Sequence, residues 1–217
     1  FFPSTITPTE RLDYAARDVA MRLRGTKPID ERIVIVAIDD FSLNYQNNSW
    51  PWSRAYFAEI IQYLNEAGAE IIGMDVFLFE EDTEGDPLLA DAFLQTPKSV
   101  NLVQLFTDHQ SVKTIKYPQP VYRDVFNALG ITEIQLDDDA IARSLRAYKY
   151  DIVSERNYFN WALEIARLSQ DAAPINTFSS TSLNLNGEDI PLQNTRILVD
   201  FRGPAETYPI YSAAQVV

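Results

Sequence analysis

The chain has 217 residues, 46% hydrophobic and 12% aromatic, with a net charge of -13. So acidic a chain lacks the basic footprint that nucleic acids and anionic lipid surfaces select, and with no cysteine it has no disulfide, thiol nucleophile, zinc–thiolate or iron–sulfur chemistry. No apolar run approaches the roughly 20 residues that span a bilayer, and the opening Phe1-Phe2-Pro3-Ser4 reads as the start of a soluble piece of a longer protein, Phe1 and Phe2 being either a frayed terminus or the outer end of a membrane helix.

Thr7-Pro8-Thr9-Glu10 is a capping box with proline at the first helical position. Leu12, Ala16, Val19 and Leu23 follow at helical spacing and Gly25 closes the helix, on which Asp18 and Arg22, four apart, can pair. Ile33 to Ile38 is a continuous β-branched run, the pattern of a strand buried on both faces. Ser53 caps a second helix whose inward stripe is Phe57, Ile60, Ile61 and Leu64, with Gly68 as its stop. Glu70 to Val76 reads as a second buried strand, so residues 32–76 predict a parallel βαβ unit.

Asp86-Pro87 opens a third helix through Leu88, Leu89, Ala92 and Phe93, followed by a strand near 99–106. Residues 107–120 read as a loop, and 121–129 as a short helical piece. Ile131 to Leu136 and Ile141 to Tyr150 alternate around Asp137-Asp138-Asp139-Ala140 and predict an antiparallel hairpin (131–150). Residues 154–168 read as a helix, 169–194 as a polar connection and 196–201 as a strand. The sum is an α/β fold, one layered domain with a mixed central sheet: an N-terminal helix over residues 1–25 and an α/β body over 26–217.

Asp39 and Asp75 each end a predicted strand. If those strands are parallel, both carboxylates lie at the carboxyl edge, where open α/β sheets bind ligands. Two such charges about 4 Å apart repel by roughly 4 kcal/mol at a surface-like dielectric, so they want a cation, an arginine or a shared proton. Arg54 and Arg143 are the candidate partners, and Asp39 and Asp75 the candidate metal ligands; the alternative is that both carboxylates cap helices and loops.

Trp50 and Trp52 flank Pro51 and read as a rigid plug or as an aromatic ligand wall. The acidic run Glu80, Glu81, Asp82, Glu84, Asp86 lacks the calcium-loop spacing and reads as a solvated loop. Asp137, Asp138 and Asp139 crowd one turn, as a site or as turn residues bonding their own backbone. His109, the only histidine, sits in a polar loop. No nucleophile elbow, phosphate loop, dinucleotide fingerprint or zinc-protease motif is present.

Several segments, in order, carry a family resemblance: Ile38-Asp39-Asp40-Phe41-Ser42, Trp50-Pro51-Trp52-Ser53-Arg54, Gly73-Met74-Asp75-Val76-Phe77, Asp137-Asp138-Asp139-Ala140-Ile141-Ala142-Arg143, Val199-Asp200-Phe201-Arg202-Gly203-Pro204 and Tyr211-Ser212-Ala213-Ala214. Together they resemble the type-two CHASE domains, cyclase/histidine-kinase-associated sensory extracellular domains. Ala140 departs from the glycine of the family's acidic turn.

The resemblance implies an extracytoplasmic, ligand-sensing domain of a membrane-anchored bacterial signalling protein. In that family the domain follows a membrane helix and drives a cytoplasmic cyclase, histidine kinase or Ser/Thr kinase; a homodimer is expected in the full-length protein. The membrane is met only through flanking helices, the partner is a small-molecule or ion stimulus, and no cofactor is called for. The ligand-binding candidates are Asp39, Asp40, Trp50, Trp52, Arg54, Asp75, Asp137, Asp139 and Arg143. Two other readings stay open: a metal-dependent hydrolase built on Asp39, Asp40, Asp75 and Asp137, and a dimerisation spacer that binds nothing.

Overall fold

The computed structural model describes residues 8–46, 50–107, 113–152 and 154–217. The elements run α1 (Pro8–Arg24), β1 (Ile35–Ala37), α2 (Asp40–Tyr45), α3 (Arg54–Glu66), β2 (Ile71–Gly73), α4 (Gly85–Leu94), β3 (Lys98–Leu102), β4 (Gln104–Thr107) and β5 (Lys113–Lys116). They continue β6 (Ala128–Gly130), β7 (Ile134–Leu136), β8 (Ala142–Arg146), β9 (Tyr148–Asp151), β10 (Arg156–Phe159), α5 (Trp161–Ser169), β11 (Ser182–Leu185), β12 (Glu188–Pro191), β13 (Arg196–Leu198) and β14 (Ile210–Ser212).

The α/β reading holds, with parallel and antiparallel pairing in one chain, but the strands form small sheets instead of one central sheet. The parallel ladder is β2-β3-β6, and α4 is the crossover between β2 and β3. β1 is not bonded to β2. It pairs in parallel with β14, Ile35 opposite Ile210 and Ala37 opposite Ser212, so the expected βαβ start does not close as a hydrogen-bonded unit. With only one strand beside it, the run 33–38 is not buried on both faces: Ile33, Val34, Ile35 and Ile38 are all exposed.

α3 forms where expected. Ser53 accepts from the Ala55 N–H, Phe57, Ile60 and Ile61 are buried against α4, and Gly68 takes the positive φ that ends the turn. Burial of each such side chain contributes about 1.5–3 kcal/mol. Leu89, Ala92 and Phe93 of α4 complete this cluster with Trp52, Ile72, Leu78 and Tyr122. A second cluster gathers Phe159, Leu163, Leu183, Leu185 and Leu192. α5 lies on the parallel ladder so closely that a Cβ on Gly130 would fall 2.5 Å from the Trp161 Cα, and one on Gly73 2.5 Å from the Ile165 Cδ1.

The predicted acidic hairpin is present as β7 and β8, antiparallel with Ile134 opposite Leu145, but its second strand, expected to run to Tyr150, stops at Arg146, and Tyr148–Asp151 pairs with β10 instead. Other expectations are corrected. The loop of 107–120 contains β5, paired antiparallel with β4. Residues 121–129 hold only the end of a single 3-10 turn (Pro120–Tyr122) and then enter β6. The helix expected from residue 154 begins at Trp161, because Arg156–Phe159 is taken up in pairing with β9 and Asn160 supplies the cap. The polar stretch of 169–194 holds the hairpin β11–β12, turned by Asn186-Gly187 with both residues at positive φ, the geometry that an Asn-Gly pair favours. His109 lies outside the described residues.

Candidate functional site

The nine candidate residues do not converge. Asp39 is the N-cap of α2: its carboxylate accepts from the Ser42 N–H at 2.9 Å and from the Ser212 hydroxyl at 2.6 Å. The Ser212 bond, then the Ser42 N–H, holds this carboxyl below the usual range. Asp39 thus ties α2 to the end of β14. Asp40 stands exposed in the first turn of α2. Asp75 follows β2 on the surface, and partial desolvation pushes its carboxyl upward.

Trp52 is a core residue, 4% exposed, set edge-on to Tyr56 at 5.0 Å, whereas Trp50 is 52% exposed and meets Trp52 edge-on at 5.6 Å. Arg54 does not neutralise Asp39 or Asp75. It is buried beside Asp86, at 3.7 Å, and donates to the Phe77 carbonyl at 3.3 Å. Asp86 also accepts from the Tyr122 hydroxyl at 2.7 Å and from the Asp82 N–H at 2.9 Å. Asp82 in turn accepts from the Arg54 and Gly85 N–H groups, which hold its carboxyl low. Two members of the acidic run therefore join the starts of α3 and α4. The run is not simply a solvated loop.

Three candidates do come together. The guanidinium of Arg143, 6% exposed, donates from Nη1 to Asp137 at 3.0 Å and to Asp139 at 2.8 Å. It then reaches α1, where Nε and Nη2 grip both oxygens of Asp18 at 2.9 and 2.8 Å, and its plane lies 4.7 Å from the Tyr14 ring centroid. Asp18 is bonded to Arg143, not to Arg22 in the next turn, and Arg143 lowers the pKa of both Asp18 and Asp139.

A second tie lies at the C-terminus of α1. Arg24 donates to the Asp200 carboxylate and to the Phe201 carbonyl, Lys27 Nζ reaches Asp200 at 2.8 Å, and the Lys27 N–H donates to the Arg202 carbonyl at 2.7 Å. Beside this tie lies an open depression of about 590 Å³, lined by Pro28, Ile29, Asp30, Glu31, Ile33, Arg202 and Tyr208. Asp200 and Ser212, neither of them among the sequence candidates, both lie within the closing motif segments that carry the family resemblance.

Chemically, these clusters are hydrogen-bonded joints. Among the described residues no group of three His, Cys, Asp or Glu side chains is placed to hold a metal ion. Asp39, Asp137 and Asp139 already accept from protein donors. The CHASE2 domain family model matches residues 1–217, the whole chain. This chain belongs to the CHASE2 family. CHASE2 domains are extracellular sensory domains of signalling proteins, not catalytic ones, so a sensor role follows for this one. No curated protein and no solved structure matches it. Among the described residues of this CHASE2 domain, no helix is long and apolar enough to cross a membrane.

Proposed function

We propose that this CHASE2 domain is the extracytoplasmic, stimulus-binding part of a membrane-anchored signalling protein, and that its responsive element is the pair of charged ties holding α1 to the body. The observation that supports this reading is that α1 is fastened mainly by ions. Asp18, past the middle of α1, meets Arg143, and Arg24 at its C-terminus, with Lys27 just beyond, meets Asp200. Ionic ties are sensitive to a bound ion or polar molecule in a way that a packed apolar contact is not. The depression beside Lys27 and Arg202 offers such a ligand a place next to the second tie. A stimulus moves α1 only if it binds one arrangement of the ties better than the other.

The test is a melting screen of the chain against divalent cations, nucleotides, amino acids and sugars, followed by hydrogen exchange on any hit. A ligand at about 100 times its Kd adds roughly 2.7 kcal/mol. In a chain of this size each kcal/mol raises the melting temperature by about 2–4 °C. A hit that changes amide protection in α1 and around Asp200 supports the reading. A flat screen, or a hit whose protection changes lie elsewhere, overturns it. Location is tested separately in the intact signalling protein. Tyr150→Cys should make the intact protein react with a membrane-impermeant thiol reagent on whole cells more than the unsubstituted protein does; equal labelling overturns the extracytoplasmic placement.

A further inference from the structure

Asn186-Gly187 is the only asparagine–glycine step in the chain. It forms the turn of the β11–β12 hairpin, with Asn186 at φ 52 and Gly187 at φ 88, and both residues are exposed. Glycine has no Cβ to crowd its own nitrogen, so that nitrogen can reach the carboxamide carbon of an asparagine before it. In this fold both reacting groups are already engaged. The Gly187 N–H donates to Asn184 Oδ1 at 3.0 Å, and Asn186 Nδ2 donates at 3.1 Å to Oε1 of Gln170, the C-cap of α5. The hairpin is a two-stranded sheet with a solvent-exposed tip, the kind of segment that opens locally while a core stays closed.

We propose that Asn186 is a site of spontaneous deamidation gated by the fold: latched by Asn184 and Gln170 while the turn is closed, and reactive when it opens. In the open turn the Gly187 nitrogen gives its proton to solvent base and attacks Asn186 Cγ. A C–N bond forms, the Cγ–Nδ2 bond breaks, and Nδ2 leaves as ammonia. Water then adds to either carbonyl of the cyclic imide and opens it to aspartate or isoaspartate, so water is the only co-reactant. In the closed turn two bonds oppose this. The bond to Asn184 favours the protonated nitrogen, and the bond to Gln170 keeps the carboxamide docked at the end of α5. Two hydrogen bonds of ordinary net strength slow the reaction about tenfold to a hundredfold. The product disturbs the fold. It adds a negative charge beside Glu188 and Asp189. Isoaspartate also puts an extra carbon into the main chain, within the turn that sets the register of the buried Leu183 and Leu185.

The experiment holds the chain in mildly alkaline buffer, folded and in urea, and follows aspartate and isoaspartate at each asparagine by peptide mass spectrometry. In urea Asn186 should convert ahead of every other asparagine, and in the folded chain about tenfold to a hundredfold more slowly. Gln170→Ala and Asn184→Ala should each quicken the folded reaction and leave the reaction in urea unchanged, because the two bonds exist only in the fold. Gln170 is exposed, so Gln170→Ala keeps the test decisive if Asn184→Ala, which also takes a hydrogen bond from Asp189, opens the hairpin. Equal rates in the folded chain and in urea overturn the latch, as does a folded Gln170→Ala chain that reacts no faster. No preference for Asn186 in urea overturns the site itself. The isoaspartate form should melt below Asn186→Asp, which carries the same charge without the longer main chain; equal melting overturns the effect on register.

Discussion

Arg143 and Asp18 stand 125 residues apart in the chain and meet through two parallel hydrogen bonds of 2.9 and 2.8 Å. The fork of the guanidinium matches both carboxylate oxygens, which a lysine cannot do. The same group also bonds Asp137 and Asp139, so one cation binds three carboxylates and fixes α1 on the hairpin.

Arg143→Ala should therefore cost about 2–4 kcal/mol in urea unfolding. That is below the full range for a buried pair, because Asp18 and Asp139 are partly solvated. Arg143→Lys should recover part of the stability but not the protection of α1 amides in hydrogen exchange. Unchanged protection in Arg143→Ala would show that α1 is held by something else.

The ties have a pH signature. Arg143 lowers the pKa of Asp18 and Asp139, and Lys27 with Arg24 lowers that of Asp200. Groups depressed in the folded state contribute stability that is fully present above the unfolded carboxylate value near 4. That stability is lost as the pH falls through 4 towards the folded values. The protection of α1 amides, taken relative to the intrinsic exchange rate at each pH, should fall between pH 5 and 3 before that of the core cluster around Phe57 and Phe93. Asp75 has the opposite sign: desolvation raises its pKa, so its contribution is present at low pH and lost as the pH rises through the folded value. Asp75→Asn should raise the melting temperature at pH 7 and leave it nearly unchanged at pH 3.

Ala140 turns the acidic hairpin at φ 63, in the left-handed region that a Cβ disfavours by about 1–2 kcal/mol. Ala140→Gly relieves that strain and loses about 0.5–1 kcal/mol through the freer unfolded chain. The expected net effect is a stabilisation of about 0.5 kcal/mol, read as a small rise in the urea midpoint with an unchanged slope. A loss of stability would mean that the turn does not hold this conformation in solution.

Gly130→Ala and Trp52→Ala probe the packing from opposite directions. The first places a methyl against the Trp161 backbone, which cannot move aside as a flexible side chain would, and should cost about 1–3 kcal/mol or more. The second empties a buried ring site and should cost about 3–5 kcal/mol. Trp50→Ala, at a half-exposed ring, should cost much less, and chemical denaturation of the three variants should rank them accordingly.

Local patterning made α3 legible: a serine cap, an apolar stripe at helical spacing and a glycine stop are all read within 16 residues. The acidic hairpin was legible for the same reason, its turn and both flanking strands being contiguous. The β11–β12 hairpin carried its own signal, Asn186-Gly187, inside a stretch whose polarity masked it. The site was read less well. Arg143, Asp137 and Asp139 meet as their closeness in one turn suggested, but their fourth partner, Asp18, lies on a helix whose nearest visible partner was Arg22. Arg54 found Asp86 and the Phe77 carbonyl instead of the strand-end aspartates.

By itself the sequence determined the family, the α/β class and the helices and turns whose caps, stripes and stops are close neighbours in the chain. Only the tertiary structure decided that β1 takes β14 as its partner, that Arg143 reaches back to Asp18, and that α1 shows its ions to the body and its leucines to water. Strand partners and ion pairs are chosen by proximity after the chain has folded, and any buried arginine satisfies any nearby carboxylate. Local periodicity shows that a helix has two faces, but the contacts of the whole fold decide which face is turned inward.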